Sequence, residues 1–94
     1  MDNKLLKIIN TYGILPQLKY FQSEIYELNE AIIQKEYRSD KGQISHIAEE
    51  IADVQVMLRQ IQLYYGISDE NIKSNMIYKI QRQINRIEVK ENEK

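Results

Sequence analysis

Apolar residues recur every three or four positions through most of this 94-residue chain, and this spacing constrains the fold more than any other feature. Between residues 15 and 37 the recurring positions are Leu18, Phe21, Ile25, Leu28 and Ile32. Between residues 43 and 65 they are Ile47, Ile51, Val54, Leu58, Ile61 and Tyr65. A narrower stripe near the end comprises Ile77, Ile80, Ile84 and Ile87. This spacing is typical of an α-helix with one buried side, whereas a strand alternates at every second residue, so the sequence predicts an all-α fold.

Few residues in the sequence are able to interrupt these helices. Gly13 and Gly66 are predicted helix ends, because glycine readily adopts the left-handed conformation just past a helix terminus. Pro16 suits a first helical turn, Ser68 suits the N-cap of a last helix, and the polar segment 38–43 supplies the remaining break. The predicted helices span about residues 2–11, 15–37, 43–65 and 69–90. Their short connections favour antiparallel neighbours, and about the last six residues are predicted to fray.

Length and charge limit the possible classes of protein. A chain of 94 residues forms one domain at most, here 1–94, and buries only a modest core, so completion by a partner chain is expected. Thirteen basic residues stand against fourteen acidic ones, for a net charge of −1. This balance argues against nucleic acid as a partner, because neutralisation of phosphates dominates such binding.

Cysteine content and hydropathy indicate where the protein works. The sequence contains no cysteine, which excludes disulfides and zinc–thiolate sites and favours a reducing compartment. No stretch approaches the roughly 18 apolar residues of a membrane span, and the N-terminal segment lacks the apolar run of a signal peptide. A cytoplasmic protein with no membrane partner is therefore predicted.

Two pairs of acidic residues lie beside the apolar stripes of the second and third predicted helices. Glu24 and Glu27 form one pair, and Glu50 and Asp53 form the other. Residues three apart project from one side of a helix, so antiparallel packing of the two helices brings the pairs face to face. Four carboxylates in a partly dry cleft repel one another, and protonation or a cation must relieve that repulsion. Oxygen-only ligands favour Mg²⁺ or Mn²⁺.

Other interpretations of these residues remain open on the pattern alone. Acidic pairs on helices are commonly solvated surface, and Glu49 is predicted to be an exposed neighbour of the cluster. His46 is the only histidine and Gln43 lies three residues before it, so the Glu-x-x-His motif of di-iron bundles is absent. His46 lies one turn before Glu50, where it either orients that carboxylate or is an ordinary surface histidine.

Two segments of the chain resemble a known enzyme family. "QLKYFQSEIYEL" (17–28) and "HIAEEIADVQVML" (46–58) resemble the MazG-like all-α nucleoside triphosphate pyrophosphohydrolases, especially their short, single-domain, phage-type members. The family signature is Glu-Glu-x-x-Glu, a gap, and then Glu-x-x-Asp. The second half matches closely, whereas Ser23 replaces the first glutamate. The resemblance covers about residues 14–87 and implies an antiparallel four-helix arrangement completed by oligomerisation.

The resemblance implies an activity, a cofactor and a ligand set. Such enzymes cleave a (d)NTP between its α- and β-phosphates to give (d)NMP and pyrophosphate, as nucleotide-pool house-cleaning. The implied cofactor is Mg²⁺ or Mn²⁺, and the implied metal ligands are Glu24, Glu27, Glu50 and Asp53. Glu27 is also the predicted general base. The family further implies a homo-oligomer, either a dimer or a tetramer.

The resemblance also implies residues that contact the nucleoside triphosphate substrate. Lys79 and Arg82 on the last predicted helix are carried over as phosphate-binding residues, and Gln17 aligns with a glutamine common in the short members. The alternative is that all three are ordinary solvated residues. For the whole chain, the competing hypothesis is a non-catalytic helical protein-interaction module or a degenerate MazG relative, with Ser23 as a symptom of lost activity.

Overall fold

Four α-helices make up the computed structural model of this protein, which describes residues 1–38 and 43–93. The helices are α1 (Asp2–Tyr12), α2 (Ile14–Tyr37), α3 (Ile44–Tyr64) and α4 (Asp69–Asn92). The prediction of an all-α, four-helix chain is confirmed for these ranges, with every boundary within two residues of the predicted one. Most of the predicted break at 38–43 lies outside the described residues. Within those residues, no helix is both long and apolar enough to cross a bilayer.

Local signals set the helix ends where the sequence predicted them. Gly13, with a φ of 89°, separates α1 from α2, and Gly66, with a φ of 66°, follows α3. Both angles lie in the region that glycine adopts without steric cost. The Ser68 hydroxyl accepts a hydrogen bond of 3.1 Å from the backbone N–H of Asn71 and so caps the start of α4.

α2 and α3 pack against each other in antiparallel orientation, and α1 contacts both. Residues that meet across the α2–α3 contact are Gln17 with Gln60, Glu24 with Asp53, and Glu27 with Glu50. As the residue number increases along α2, the number of its partner on α3 decreases, so the two helices run antiparallel. This orientation is the one that the short connection predicted.

The buried side of α2 and α3 differs from the predicted apolar stripes. The buried residues of these two helices are Glu24, Ala31, Glu50, Met57 and Gln60. Positions seven apart on a helix share a side, so Glu24 lies in line with Ala31 and Glu50 lies in line with Met57. The helix contact therefore runs along the carboxylates themselves rather than beside them.

Several residues of the predicted stripes lie outside this contact. Ile25, Ile32, Ile51 and Leu58 each keep between 39% and 51% of their surface exposed. The prediction that α2 and α3 pack through these residues is wrong. The apolar positions cover a wider arc of each helix than a single contact can bury, and the contact falls at the edge that carries Glu24 and Glu50. A second apolar face on this pair of helices is left uncovered.

α4 projects away from the unit formed by α1, α2 and α3. Over the described residues it packs against none of them, and it contains no buried residue. The Cα radius of gyration is 17.2 Å, whereas a compact domain of 100 residues has about 13 Å. The apolar residues left between 37% and 59% exposed on α4 include Ile72, Met76, Ile77, Ile80, Ile84 and Ile87.

Arg59 on α3 connects the beginnings of α1 and α4. Its Nε and Nη2 donate to the two carboxylate oxygens of Asp2, at 3.0 and 2.7 Å, and its Nη1 donates to Asp69. Gln62 also donates to Asp69, at 2.7 Å. Hydrogen bonds from Arg59 lower the pKa of Asp2, and those from Gln62 and Arg59 lower the pKa of Asp69. This network fixes the first turn of α4 to α3.

Candidate metal centre

Three of the four predicted metal ligands meet where α2 packs against α3. Glu24, Glu27 and Glu50 each place one carboxylate oxygen within 4.8 Å of the other two. The spacing of three residues puts Glu24 and Glu27 on one side of α2, and the antiparallel contact presents Glu50 to them. We call these three residues the carboxylate cluster.

Asp53, the fourth predicted ligand, lies at the edge of the carboxylate cluster. It does not belong to the set whose oxygens all approach within 4.8 Å. Its charge nevertheless helps to raise the pKa of Glu24 and of Glu50, which places it beside both. Asp53 is solvent-exposed, as is Glu27, so the cluster has a buried side and an open side.

The buried side of the cluster carries unpaired polar atoms. Glu24 is 5% exposed and Glu50 is 8% exposed. The Oε2 atom of each is buried with no hydrogen-bond partner among the described residues. A buried carboxylate oxygen without a partner destabilises a fold, because it has lost its hydration and gained nothing in exchange. A proton or a cation is the species that relieves this arrangement.

Electrostatics in the cluster favour the uptake of positive charge. Burial raises the pKa of Glu24, and repulsion from Asp53 and then Glu27 raises it further. Burial also raises the pKa of Glu50, with added repulsion from Glu27 and Asp53. The ionised Glu24 in turn raises the pKa of the nearby Tyr20 phenol.

The donor set fits a hard divalent cation. All donors are carboxylate oxygens, the ligands that Mg²⁺ and Mn²⁺ prefer. Oxygens on opposite sides of a Mg²⁺ ion lie about 4.2 Å apart, since each metal–oxygen bond measures about 2.1 Å. Neighbouring oxygens on the same ion lie about 3.0 Å apart, and three ligands include at most one opposite pair. The three carboxylate oxygens lie within 4.8 Å of one another, so they would draw together to share one ion. Such an ion would neutralise Glu24 and Glu50 without protonation.

The predicted substrate-binding residues lie in two different places. Gln17, about two helical turns before Glu24 on α2, donates a hydrogen bond of 2.8 Å from its Nε2 to the Oε1 of Gln60. Lys79 and Arg82 lie on α4, which does not pack against α2 or α3 in this chain. Arg82 instead lies over the ring of Tyr78, 5.8 Å from its centroid. Gln17 thus lines a cavity that also includes Asp53, whereas Lys79 and Arg82 lie away from the carboxylates of their own chain.

Three residues close in sequence to the predicted metal ligands take no part in the carboxylate cluster: His46, Glu49 and Ser23. The Nε2 of His46 lies 3.8 Å from Oε1 of Glu50, and its Nδ1 lies 3.8 Å from Oε2 of Glu49. These distances exceed hydrogen-bond length, so His46 is a nearby polar group that does not hold the carboxylate. Glu49 has 78% of its side chain exposed, as predicted. Ser23 donates to the backbone carbonyl of Tyr20, at 2.7 Å, and is also exposed.

Sequence reasoning missed Gln60, which is only 2% exposed. A signal for it exists in the spacing of the polar residues. Gln60 follows Asp53 by seven positions on α3, just as Gln17 precedes Glu24 by seven positions on α2. Because this spacing keeps residues on one side of a helix, both glutamines belong to the same face as the carboxylates.

Comparison of the sequence with protein-family models gave no match, and searches of curated proteins and of solved structures gave none either. The resemblance to MazG-like enzymes therefore depends on the two quoted segments, and membership of that family stays a prediction. The geometry of the carboxylate cluster stands independently of it.

Proposed function

We propose that this protein is a metal-dependent nucleoside triphosphate pyrophosphohydrolase, which converts a (d)NTP into a (d)NMP and pyrophosphate for nucleotide-pool house-cleaning. The observation that carries this proposal is the pair of buried, unpartnered oxygens of Glu24 and Glu50 beside Glu27. Buried like charges persist in a fold only when a proton or a cation compensates them. The resemblance to MazG-like enzymes supplies the class of reaction.

Each carboxylate has a role that follows from its exposure. Glu24 and Glu50 would hold Mg²⁺ or Mn²⁺ from the buried side, and Glu27 and Asp53 would hold it from the open side. The bound ion supplies charge neutralisation to the phosphates and a lowered pKa to the attacking water. Glu27 is open to solvent, where an attacking water can reach it, and would serve as the general base.

The phosphates also require cations from the protein, and α4 carries Lys79 and Arg82. Since α4 lies away from the cluster of its own chain, we propose a homo-oligomer, a dimer or a tetramer, in which α4 of one copy supplies the cluster of another. The uncovered apolar stripe of α4 supports this assembly. Lys79 and Arg82 do not belong to this stripe, so its burial leaves both cations available to substrate.

The decisive assay is pyrophosphate release from each common (d)NTP, with Mg²⁺, with Mn²⁺ and with a chelator. We expect (d)NMP and pyrophosphate from at least one nucleotide, and only with metal. Asp53→Asn is expected to abolish release, whereas Glu49→Gln, at an exposed residue four positions earlier on α3, retains it. Absence of hydrolysis with both metals, or release of phosphate with a diphosphate product, contradicts the proposed reaction.

A helical protein-interaction module without catalysis, or a degenerate MazG relative, is the second candidate. The exposed apolar stripe of α4 and the serine at position 23 favour it. Thermal melting separates the two functions, because a metal that binds only the folded state raises the melting temperature by mass action. No shift at millimolar Mg²⁺ or Mn²⁺ supports the interaction module.

A further inference from the structure

A cavity of about 520 Å³ opens beside the carboxylate cluster. Its lining includes Ile8, Tyr12, Gln17, Tyr20, Val56 and Gln60, together with Asp53. Asp53 also contributes to the raised pKa of Glu24 and Glu50. Glu24 in turn raises the pKa of the Tyr20 phenol, and Tyr20 also lines the cavity. Asp53 and Tyr20 therefore connect the cavity to the cluster, although no residue of the cluster itself lines the cavity.

Two glutamines give this cavity its polar character. The Nε2 of Gln17 donates to the Oε1 of Gln60, so this hydrogen bond uses one donor and one acceptor of the pair. The Gln17 carbonyl oxygen and the Gln60 amino group have no protein partner in the described part of the chain. Reversing both amides exchanges the residues that supply these groups but still leaves one donor and one acceptor. The cavity thus offers a donor next to an acceptor.

The other walls of the cavity are apolar or aromatic. Ile8 and Val56 supply aliphatic surface, and Tyr12 and Tyr20 supply rings on which a flat ligand can stack. Gln60 is only 2% exposed and its Oε1 accepts from Gln17, so its side chain is held in place at the cavity wall. Its amino group is not among the buried unpartnered atoms and so stays accessible to a ligand in the cavity. A flat ring with a donor and an acceptor on one edge matches both kinds of wall.

We infer that this cavity binds the nucleobase of the substrate, and that Gln17 and Gln60 read the edge of the base. The inference rests on the proposed function, which it deepens. An N–H group of the base donates to the Gln17 carbonyl oxygen, and a carbonyl oxygen or ring nitrogen of the base accepts from the Gln60 amino group. The Asp53 side of the cavity then directs the sugar and phosphates toward the carboxylate cluster.

This geometry makes the glutamine pair a specificity-determining element. A site built to hydrogen-bond a polar edge rejects an analogue that lacks it, because the groups of the protein are left unpaired. Methylation of the N–H on that edge removes the donor and adds bulk against Gln17. The natural base and its edge-methylated analogue are therefore the sharpest probes of the pocket.

The test measures binding of free nucleosides by protein-detected NMR in the presence of a chelator, so that neither metal nor phosphate nor hydrolysis takes part. The probes are the four deoxynucleosides, with 3-methylthymidine and N4,N4-dimethyldeoxycytidine as edge-methylated analogues of thymidine and deoxycytidine. We expect binding with shifts at Tyr12 and Tyr20, and about tenfold weaker binding of the methylated analogue. Gln17→Leu and Gln60→Leu should weaken the parent nucleoside about tenfold and abolish its advantage over the analogue. Gln55→Leu, on the exposed side of α3, is the matched control and should change neither.

Two results overturn the pocket: no binding of any nucleoside by the folded protein, or equal binding of parent and analogue. Circular dichroism checks the fold of each variant. If Gln60→Leu unfolds, the test depends on Gln17→Leu, which is expected to fold because Gln17 is only half-buried. The results distinguish failure of the pocket hypothesis from failure of the proposed reaction. Nucleoside binding without (d)NTP hydrolysis supports the pocket and contradicts the pyrophosphohydrolase, whereas hydrolysis without nucleoside binding contradicts the pocket alone.

Discussion

Glu24 on α2 and Glu50 on α3 face each other across the contact between the two helices, and each buries one carboxylate oxygen with no hydrogen-bond partner among the described residues. Most buried polar atoms in folded proteins have a partner, so two exceptions at one place call for a physical explanation. The proposed cation between these side chains would give both oxygens a partner. The predictions below follow from this pair and from the position of α4.

The adjacent residues Glu49 and Glu50 provide a matched test of the metal centre. Glu50→Gln removes a buried ligand, so we expect it to abolish the rise in melting temperature caused by Mg²⁺ or Mn²⁺ and to lower pyrophosphate release by about 100-fold or more. Glu49→Gln removes an equal charge from a side chain that is 78% exposed and should change neither. Differential scanning fluorimetry with a metal titration measures the first effect. Equal responses from the two variants contradict a site at Glu50.

The stability of the metal-free protein should depend on pH in a direction set by the cluster. Burial and nearby carboxylates raise the pKa of Glu24 and Glu50 above the ordinary value of 4.5. The folded state therefore binds these protons more tightly than the unfolded chain does. This contribution to the free energy of unfolding is fully present below pH 4.5 and is lost as pH rises through the raised values. We expect the melting temperature, measured with a chelator, to fall from pH 4.5 toward neutrality.

Two comparisons identify the cluster as the cause of that pH dependence. The double variant Glu24→Gln, Glu50→Gln should remove the fall, and saturating Mg²⁺ should oppose it, since metal binding strengthens as carboxylates ionise. Asp2 and Asp69 act in the opposite sense, because their lowered pKa values give stability above pH 3.8 that is lost in more acidic solution. A fall between pH 4.5 and 7 that persists in the double variant assigns the effect to other groups.

Local chemistry explains how much of this fold the sequence predicted. Gly13 and Gly66 end helices through their own backbone freedom, and Ser68 caps α4 through its own hydroxyl, so these positions needed no knowledge of packing. The cluster was predictable for a similar reason. A spacing of three residues fixes the side of a helix for Glu24 and Glu27, whatever packs against it.

The inward face of each helix was not predictable in the same way. Glu24 and Ile25 are adjacent on α2, and apolar residues cover so wide an arc that either position fits a buried side. Packing against α3 buries Glu24 and leaves Ile25 39% exposed. The sequence of α4 does not predict where this helix packs. Its apolar stripe indicates only that some apolar surface covers it, without specifying which one. Gln60 was missed because its spacing of seven residues from Asp53 places it on the carboxylate face but does not show that this face is buried.

Arg59 should control how α4 is attached to the rest of the chain. Arg59→Met keeps the aliphatic stem but removes every hydrogen bond to Asp2 and Asp69. We expect a lower melting temperature and faster amide exchange in the first turn of α4, because the carboxylates lose their donors. The difference from the native chain should shrink in high salt, which screens exposed ion pairs. Arg86→Met, on an exposed part of α4, should melt like the native chain; a similar loss there contradicts a specific role for Arg59.

Sites built from two copies should be restored by mixing two defective variants. Glu50→Gln removes a metal ligand and Arg82→Ala removes a phosphate-binding cation, so each alone should have little activity. If α4 reaches the cluster of another copy, a mixed dimer contains one site with neither substitution. Refolding the variants together in equal amounts should then recover about one quarter of native pyrophosphate release. No recovery in a mixture shown to contain mixed dimers contradicts the proposal that α4 acts on a second copy.

The apolar stripe of α4 should hold the oligomer together. Ile80 is 59% exposed in the single chain, so a charge there costs a monomer almost nothing, whereas a charge buried in an interface is strongly unfavourable. Ile80→Glu should weaken association by about 100-fold or more, measured by sedimentation velocity over a range of concentrations. It should also lower helix content by circular dichroism, because a helix without tertiary packing is only marginally stable in water. Asn85→Glu, five positions later and so on the far side of α4, is the matched control and should leave both unchanged. A native chain that sediments as a monomer at every concentration, with full helix content, contradicts this prediction and leaves α4 for a different partner.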